Sequence, residues 1–72
     1  MSTTKIFLKA EVDRDEVSNM CLAIAKKDKT FSWRIEGDYL TIYSPNKDVA
    51  FKRGLLFVKK YLVKYDLGFN VF

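Results

Sequence analysis

Phe31-Ser32-Trp33-Arg34-Ile35-Glu36-Gly37-Asp38-Tyr39-Leu40-Thr41-Ile42-Tyr43 decides the fold of this chain. Apolar and polar side chains alternate on both sides of Gly37-Asp38, the period-2 pattern of half-buried strands. A Gly-Asp pair between two such runs is a two-residue hairpin turn of the primed kind. That turn sets the register: Glu36 pairs with Tyr39, Arg34 with Thr41 and Ser32 with Tyr43. The opposite face carries Phe31, Trp33 and Ile35 against Leu40 and Ile42. It is wholly apolar and must be the core face. Residues 30–36 and 39–44 are therefore expected as strands.

Upstream of the hairpin, residues 4–12 alternate in the same way, with Ile6, Leu8, Ala10 and Val12 on the apolar side. Asp13 follows as a helix N-cap, with Glu16 three residues on to complete a capping box and Val12 and Val17 placed as a hydrophobic staple. The helix should run to about Lys27 and bury Val17, Met20, Cys21 and Ile24. Downstream, Pro45 or Asn46 starts a second helix that should reach about Tyr65. Its core stripe is expected at Phe51, Leu55, Val58, Leu62 and Tyr65. Gly54 lies beside that stripe, where it costs about 1 kcal/mol relative to Ala and earns its place by permitting close packing. Leu67 to Phe72 is the last strand, with Leu67, Phe69 and Val71 inward.

The order β-α-β-β-α-β makes residues 1–72 a single α+β domain. It is expected as a ferredoxin-like two-layer sandwich: a four-stranded antiparallel sheet with both helices on one face. Right-handed crossovers put the first and third strands in the centre.

Composition narrows the chemistry. With no His, the chain lacks the usual acid/base near neutral pH and the commonest metal ligand. One cysteine makes neither an internal disulfide nor a thiolate zinc site. Cys21 on the buried stripe is a core residue and fits a reducing, cytoplasmic setting. The three glycines are far apart, so there is no phosphate loop. The start lacks the long apolar run of a secretory signal, and no segment is long and apolar enough to span a membrane. The acids Asp13, Asp15 and Glu16 complement a helix dipole, which accounts for them without a metal. No enzyme activity, cofactor or metal is expected.

The charge is uneven. Residues 1–43 hold seven basic and seven acidic side chains; residues 44–72 hold six basic and two acidic, which is the whole net +4. A basic half favours an anionic partner, and equally makes a solvated helix face. Two surfaces follow. On the outer side of the long helix, Val49, Leu56 and Val63 line up at spacing seven beside Arg53, Lys60 and Lys64. This ridge suits a protein partner with an acidic or mixed surface; packing by the first helix is the other account of it. On the open sheet face, Phe7, Tyr39 and Tyr43 are interleaved with Lys5, Lys9 and Arg34. Aromatic rings flanked by cations suit stacking of unpaired bases, with phosphates held alongside. The topology is similar to that of RNA-recognition-motif domains, which stack bases on aromatics of these same two central strands. The segment Tyr39-Leu40-Thr41-Ile42-Tyr43 departs from that family's Lys/Arg-Gly-aromatic opening. Cross-strand pairing of tyrosines, or cover by a second copy in a homodimer, also accounts for such a face. The leading expectation is a non-catalytic regulator or inhibitor that occupies a protein partner; its size and its Lys, Phe and Tyr content resemble those of viral modulators of host machinery. Single-stranded nucleic-acid binding is the alternative.

Overall fold

Alternation in the first nine residues builds β1 (Ser2–Phe7), and the computed structural model describes this and every other element across residues 1–72. The strand begins earlier and ends sooner than its pattern suggests. Its inward residues are Ser2, Thr4 and Ile6, followed by Leu8 just beyond its end. Past Phe7 the backbone turns: Leu8 N–H donates to the Asp38 carbonyl and Val12 N–H to the Lys9 carbonyl. Ala10 is thereby exposed on a turn, while Val12 still reaches the core.

Asp13 caps α1 (Arg14–Lys27), its Oδ1 accepting from the N–H groups of Asp15 and Glu16. This satisfies two of the first-turn donors that a helix leaves unpaired. The reciprocal half of the capping box is not made, because the Glu16 carboxylate is taken by Lys64 and Tyr65. β2 (Ser32–Glu36) and β3 (Tyr39–Ser44) pair in the register set by the turn, from Glu36 opposite Tyr39 to Ser32 opposite Tyr43. Gly37 takes φ 57°, as the first central residue of a type II′ turn requires.

The second helical segment departs from a single α-helix. α2 (Lys47–Leu56) is capped by Asn46, whose Oδ1 accepts from Val49 N–H at 2.9 Å. A π-turn follows over Phe57–Tyr61, then a 3₁₀ turn over Val63–Tyr65. Leu62 N–H donates to the carbonyl of Phe57, five residues back, at 2.7 Å. A π-turn carries one residue more than an α-turn. It therefore brings Phe57 and Leu62 onto one face, and both are buried. The buried stripe is Ala50, Gly54, Phe57, Val58 and Leu62: Val58 and Leu62 fall where spacing places them and Tyr65 packs at the core's edge, whereas Ala50, Gly54 and Phe57 take the places expected of Phe51 and Leu55. Phe51 is half exposed and lies against Phe69, ring centroids 5.6 Å apart. The cause is Gly54: the Phe69 ring occupies the place its Cβ would take, 2.5 Å from the nearest ring carbons. With the ring seated there, the helix turns its Ala50–Gly54 side to the sheet. Thr4 Oγ1 fixes the same side by donating to the Ala50 carbonyl at 2.7 Å.

β4 (Phe69–Val71) closes the sheet, and the ladder runs on through a mutual pair of bonds between Thr3 and Phe72. All pairings are antiparallel and the strand order is β2-β3-β1-β4. Inward residues of the sheet (Ile6, Leu8, Leu40, Ile42) share one core with Val17 and Cys21 of α1 and with Phe57, Val58 and Leu62. Both helical segments thus lie on one face. A radius of gyration of 11.0 Å matches the about 11 Å expected of a compact chain of this length.

Candidate binding surface

The face of the sheet opposite the helices is built in rows by the strand register. The middle row runs Arg34, Thr41, Lys5, Asn70 across β2, β3, β1 and β4. One row on each side is aromatic. Tyr39 sits opposite Phe7 in one; Tyr43 sits opposite Thr3, itself paired with Phe72, in the other. Phe7, Tyr39 and Phe72 are exposed and Tyr43 is half-buried. The Phe7 and Tyr39 rings meet edge to face at 5.6 Å, and Lys5 Nζ lies 5.8 Å from the Tyr39 ring centroid. Such contacts orient the rings and the ammonium without consuming them. Beside them a shallow groove of about 350 Å³ opens, lined by Lys5, Phe7, Lys9, Tyr39, Gly68, Phe69 and Asn70.

The charges on this face divide by what they touch. Lys5 has no carboxylate partner, and Arg34 has only Glu36 at 3.7 Å, both of them exposed. Lys9 is withdrawn. Its Nζ donates to the carbonyls of Tyr65 and Asp66, capping the end of the 3₁₀ turn where Asp66 takes φ 53°. Cations at a helical C-terminus are favourable, so Lys9 acts as a structural group. Thr41, in the middle row, is 2% exposed, and its hydroxyl has no hydrogen-bond partner.

The helix ridge is broken up by the same geometry that buries Phe57 and Leu62. The π-turn shifts the phase between Leu56 and Val63, so spacing seven no longer aligns them. Leu56 and Val63 are 40% and 58% exposed, and Val49 is half-buried. Arg53 is not on an outer face at all: its side chain is 15% exposed. It donates to the Tyr43 carbonyl, to Ser44 Oγ, to Thr30 Oγ1 and to Asp28, and lies over the Phe31 ring at 5.5 Å. Asp28 is held below the usual carboxylate range, first by the Thr30 hydroxyl and N–H, then by Arg53. Lys60 stands 5.9 Å from the Tyr61 ring. Lys64 pairs with Glu16 at 3.2 Å, and the bond and charge of Glu16 raise its amine above the ordinary lysine value. Of the six ridge residues, Leu56, Lys60 and Val63 remain exposed without a carboxylate partner.

A second groove, of about 250 Å³, lies between α1 and the π-turn and is lined by Met20, Ala23, Ile24, Lys27 and Tyr61. It depends on the widened turn, which spacing in the sequence does not reveal. Cys21, fully buried on α1, has its thiol pushed up to about 12 by burial. The chain matches no known protein family, no curated protein and no solved structure.

Proposed function

We propose that this chain is a non-catalytic binding module that acts through the open face of its sheet, with single-stranded nucleic acid as the partner. The observation that carries this is the paired ring set Phe7–Tyr39 beside an ammonium, Lys5, that no carboxylate neutralises. Each base stacked on an aromatic ring contributes about 1–3 kcal/mol, and the cations match phosphate charge. The placement of β1 and β3 at the centre of the sheet supports a ferredoxin-like sandwich for the same reading. A cytoplasmic setting goes with the free Cys21 thiol.

The test is fluorescence anisotropy with labelled single-stranded RNA, single-stranded DNA and duplex DNA. Binding that prefers single strands and falls at least fivefold in Tyr39→Ala and in Phe7→Ala is the expected result. Equal binding to duplex, or none, removes it. A dimer in sedimentation that Tyr39→Asp dissociates would place a second copy of the chain over this face instead.

Exposed Leu56 and Val63 beside Lys60 favour a second reading, a small regulator that docks an acidic or mixed protein surface. Leu56→Asp with Val63→Asp abolishes such docking while leaving oligonucleotide binding intact. The two readings therefore separate in one pair of variants.

A further inference from the structure

Thr41 is the only residue with a buried side-chain polar atom that lacks a hydrogen-bond partner. The other buried hydroxyls on which the fold draws are satisfied: Thr4 donates to Ala50, and Ser44 accepts from Arg53. An unpartnered buried hydroxyl destabilises a fold, and Val has the same shape without that cost. Packing therefore gives no reason for Thr at this position. Its neighbours give one. The Cα partners of Thr41 across the sheet are Lys5 on one side and Arg34 on the other. Along β3 its neighbours on the same face are Tyr39 and Tyr43, each about 7 Å away at the usual strand rise. A line of two cations thus crosses a line of two rings, with the hydroxyl where they meet. The side chains of its cross-strand partners Lys5 and Arg34 are long and exposed, so they can swing aside.

We propose that Thr41 is the seat of a phosphodiester of a splayed single strand, a step that rests on the nucleic-acid reading above. One non-bridging phosphate oxygen accepts from Thr41 Oγ1 and the other faces the Lys5 ammonium, while the Arg34 guanidinium takes the adjacent phosphate of the strand, so that the two cations neutralise two phosphates. Hydroxyl and charged donors around one tetrahedral anion are a strong combination. The flanking bases then rest on Tyr39 and Tyr43, about 13 Å apart over four residues of strand. Helically stacked nucleotides advance about 3.4 Å each. A pair of bases reaching both rings on either side of the seat is therefore unstacked, as single strands are when bound by sheet surfaces. The occupant is an extended strand without secondary structure; RNA and DNA share the chemistry.

The experiment measures anisotropy of labelled ten-nucleotide oligouridine and oligothymidine with the native chain, Thr41→Val, Thr41→Ser and Lys5→Gln. Thr41→Val is expected to weaken binding about tenfold, the loss of one hydrogen bond to a charged group, while its thermal midpoint stays or rises. Thr41→Ser keeps the hydroxyl and should bind within about twofold of the native chain. Lys5→Gln lies on the exposed surface, should fold normally, and should shallow the salt slope by about 0.7 on a single strand. Native affinity in Thr41→Val, with Tyr39→Ala still impaired, overturns the seat and leaves the base-stacking face standing. An unaltered salt slope in Lys5→Gln overturns the seat by a route that does not depend on Thr41 variants folding. No binding of either oligonucleotide by the native chain overturns both. Preference for oligouridine over oligothymidine, or the reverse, assigns the source of the phosphate.

Discussion

Arg53 ties α2 to the loop after α1, at Asp28 and Thr30, and to the end of β3, at Tyr43 and Ser44. Its planar fork reaches several acceptors at once, and its face lies over Phe31. Arg53→Ala should lower unfolding stability by about 2–3 kcal/mol, since charge-assisted bonds are lost in a largely enclosed site. Urea denaturation measures this, and Arg53→Lys should recover less than half, because a point ammonium cannot reach the same set. The partner Asp28 adds a pH dependence. Its folded-state pKa is depressed, by Thr30 first and Arg53 second. Stability from this group is present above the unfolded aspartate value of about 3.9 and is lost as pH falls through the lower folded value. Asp28→Asn should therefore flatten the acid limb of a stability profile below about pH 4 and leave its shape near neutrality unchanged. At Cys21 burial works the other way, holding the thiol protonated to about 12. An aromatic disulfide reagent at pH 8 should leave the native protein unlabelled and should label one thiol per chain once urea unfolds it; rapid labelling of the native protein would contradict the burial seen here.

At the level of elements, Gly54 governs how α2 meets the sheet. Alanine is the better helix former by about 1 kcal/mol, yet a Cβ at Gly54 would stand 2.5 Å from the Phe69 ring. Overpacking of this kind costs about 1–3 kcal/mol. Gly54→Ala should thus be net destabilising, whereas Gly68→Ala, with open space around it, should be close to neutral. Equal stability of the two variants in urea would mean that Phe69 yields freely. The same contact explains where sequence periodicity succeeds and where it stops. The hairpin is legible because a two-residue turn and a period of two determine every partner from residues within thirteen positions. α1 is legible because its cap and its buried stripe lie in one continuous stretch. The second helical segment is apolar on several sides at once (Val49, Ala50, Phe51, Leu55, Leu56, Phe57, Val58), so spacing alone admits more than one buried stripe. The choice is made by Phe69 on Gly54 and by Phe31 stacked on Phe57 at 6.2 Å, contacts that join distant positions. Membership of the open face follows from alternation and can be read from residues alone; the rows across it also need the pairings of β1 with β3 and β4, which join distant positions and are fixed only by the fold. The withdrawal of Lys9 and Arg53 cannot, because their acceptors include backbone carbonyls brought near only by the finished fold.

Over the whole molecule the +4 charge is not one field but two faces, back to back. The sheet face offers Lys5 and Arg34. The helical layer offers Lys26, Lys27, Lys47, Lys59 and Lys60, all exposed and none paired with a carboxylate. A short oligonucleotide cannot lie on both, so the salt dependence of its binding tells which face it uses. Each phosphate neutralised on a single strand contributes about −0.7 to the slope of log K against log salt. Two cations on the sheet face give about −1.4, and five on the helical layer give about −3.5. Anisotropy titrations between about 50 and 200 mM salt should return a slope between about −1 and −2, together with an intercept that drops in Tyr39→Ala, because stacking on an aromatic ring persists when counterions are in excess. A slope near −3.5 that is indifferent to Tyr39→Ala would assign the contact to the helical layer. The lysines there would then be acting as a general attraction for polyanions, and the aromatic rows would have no part in binding.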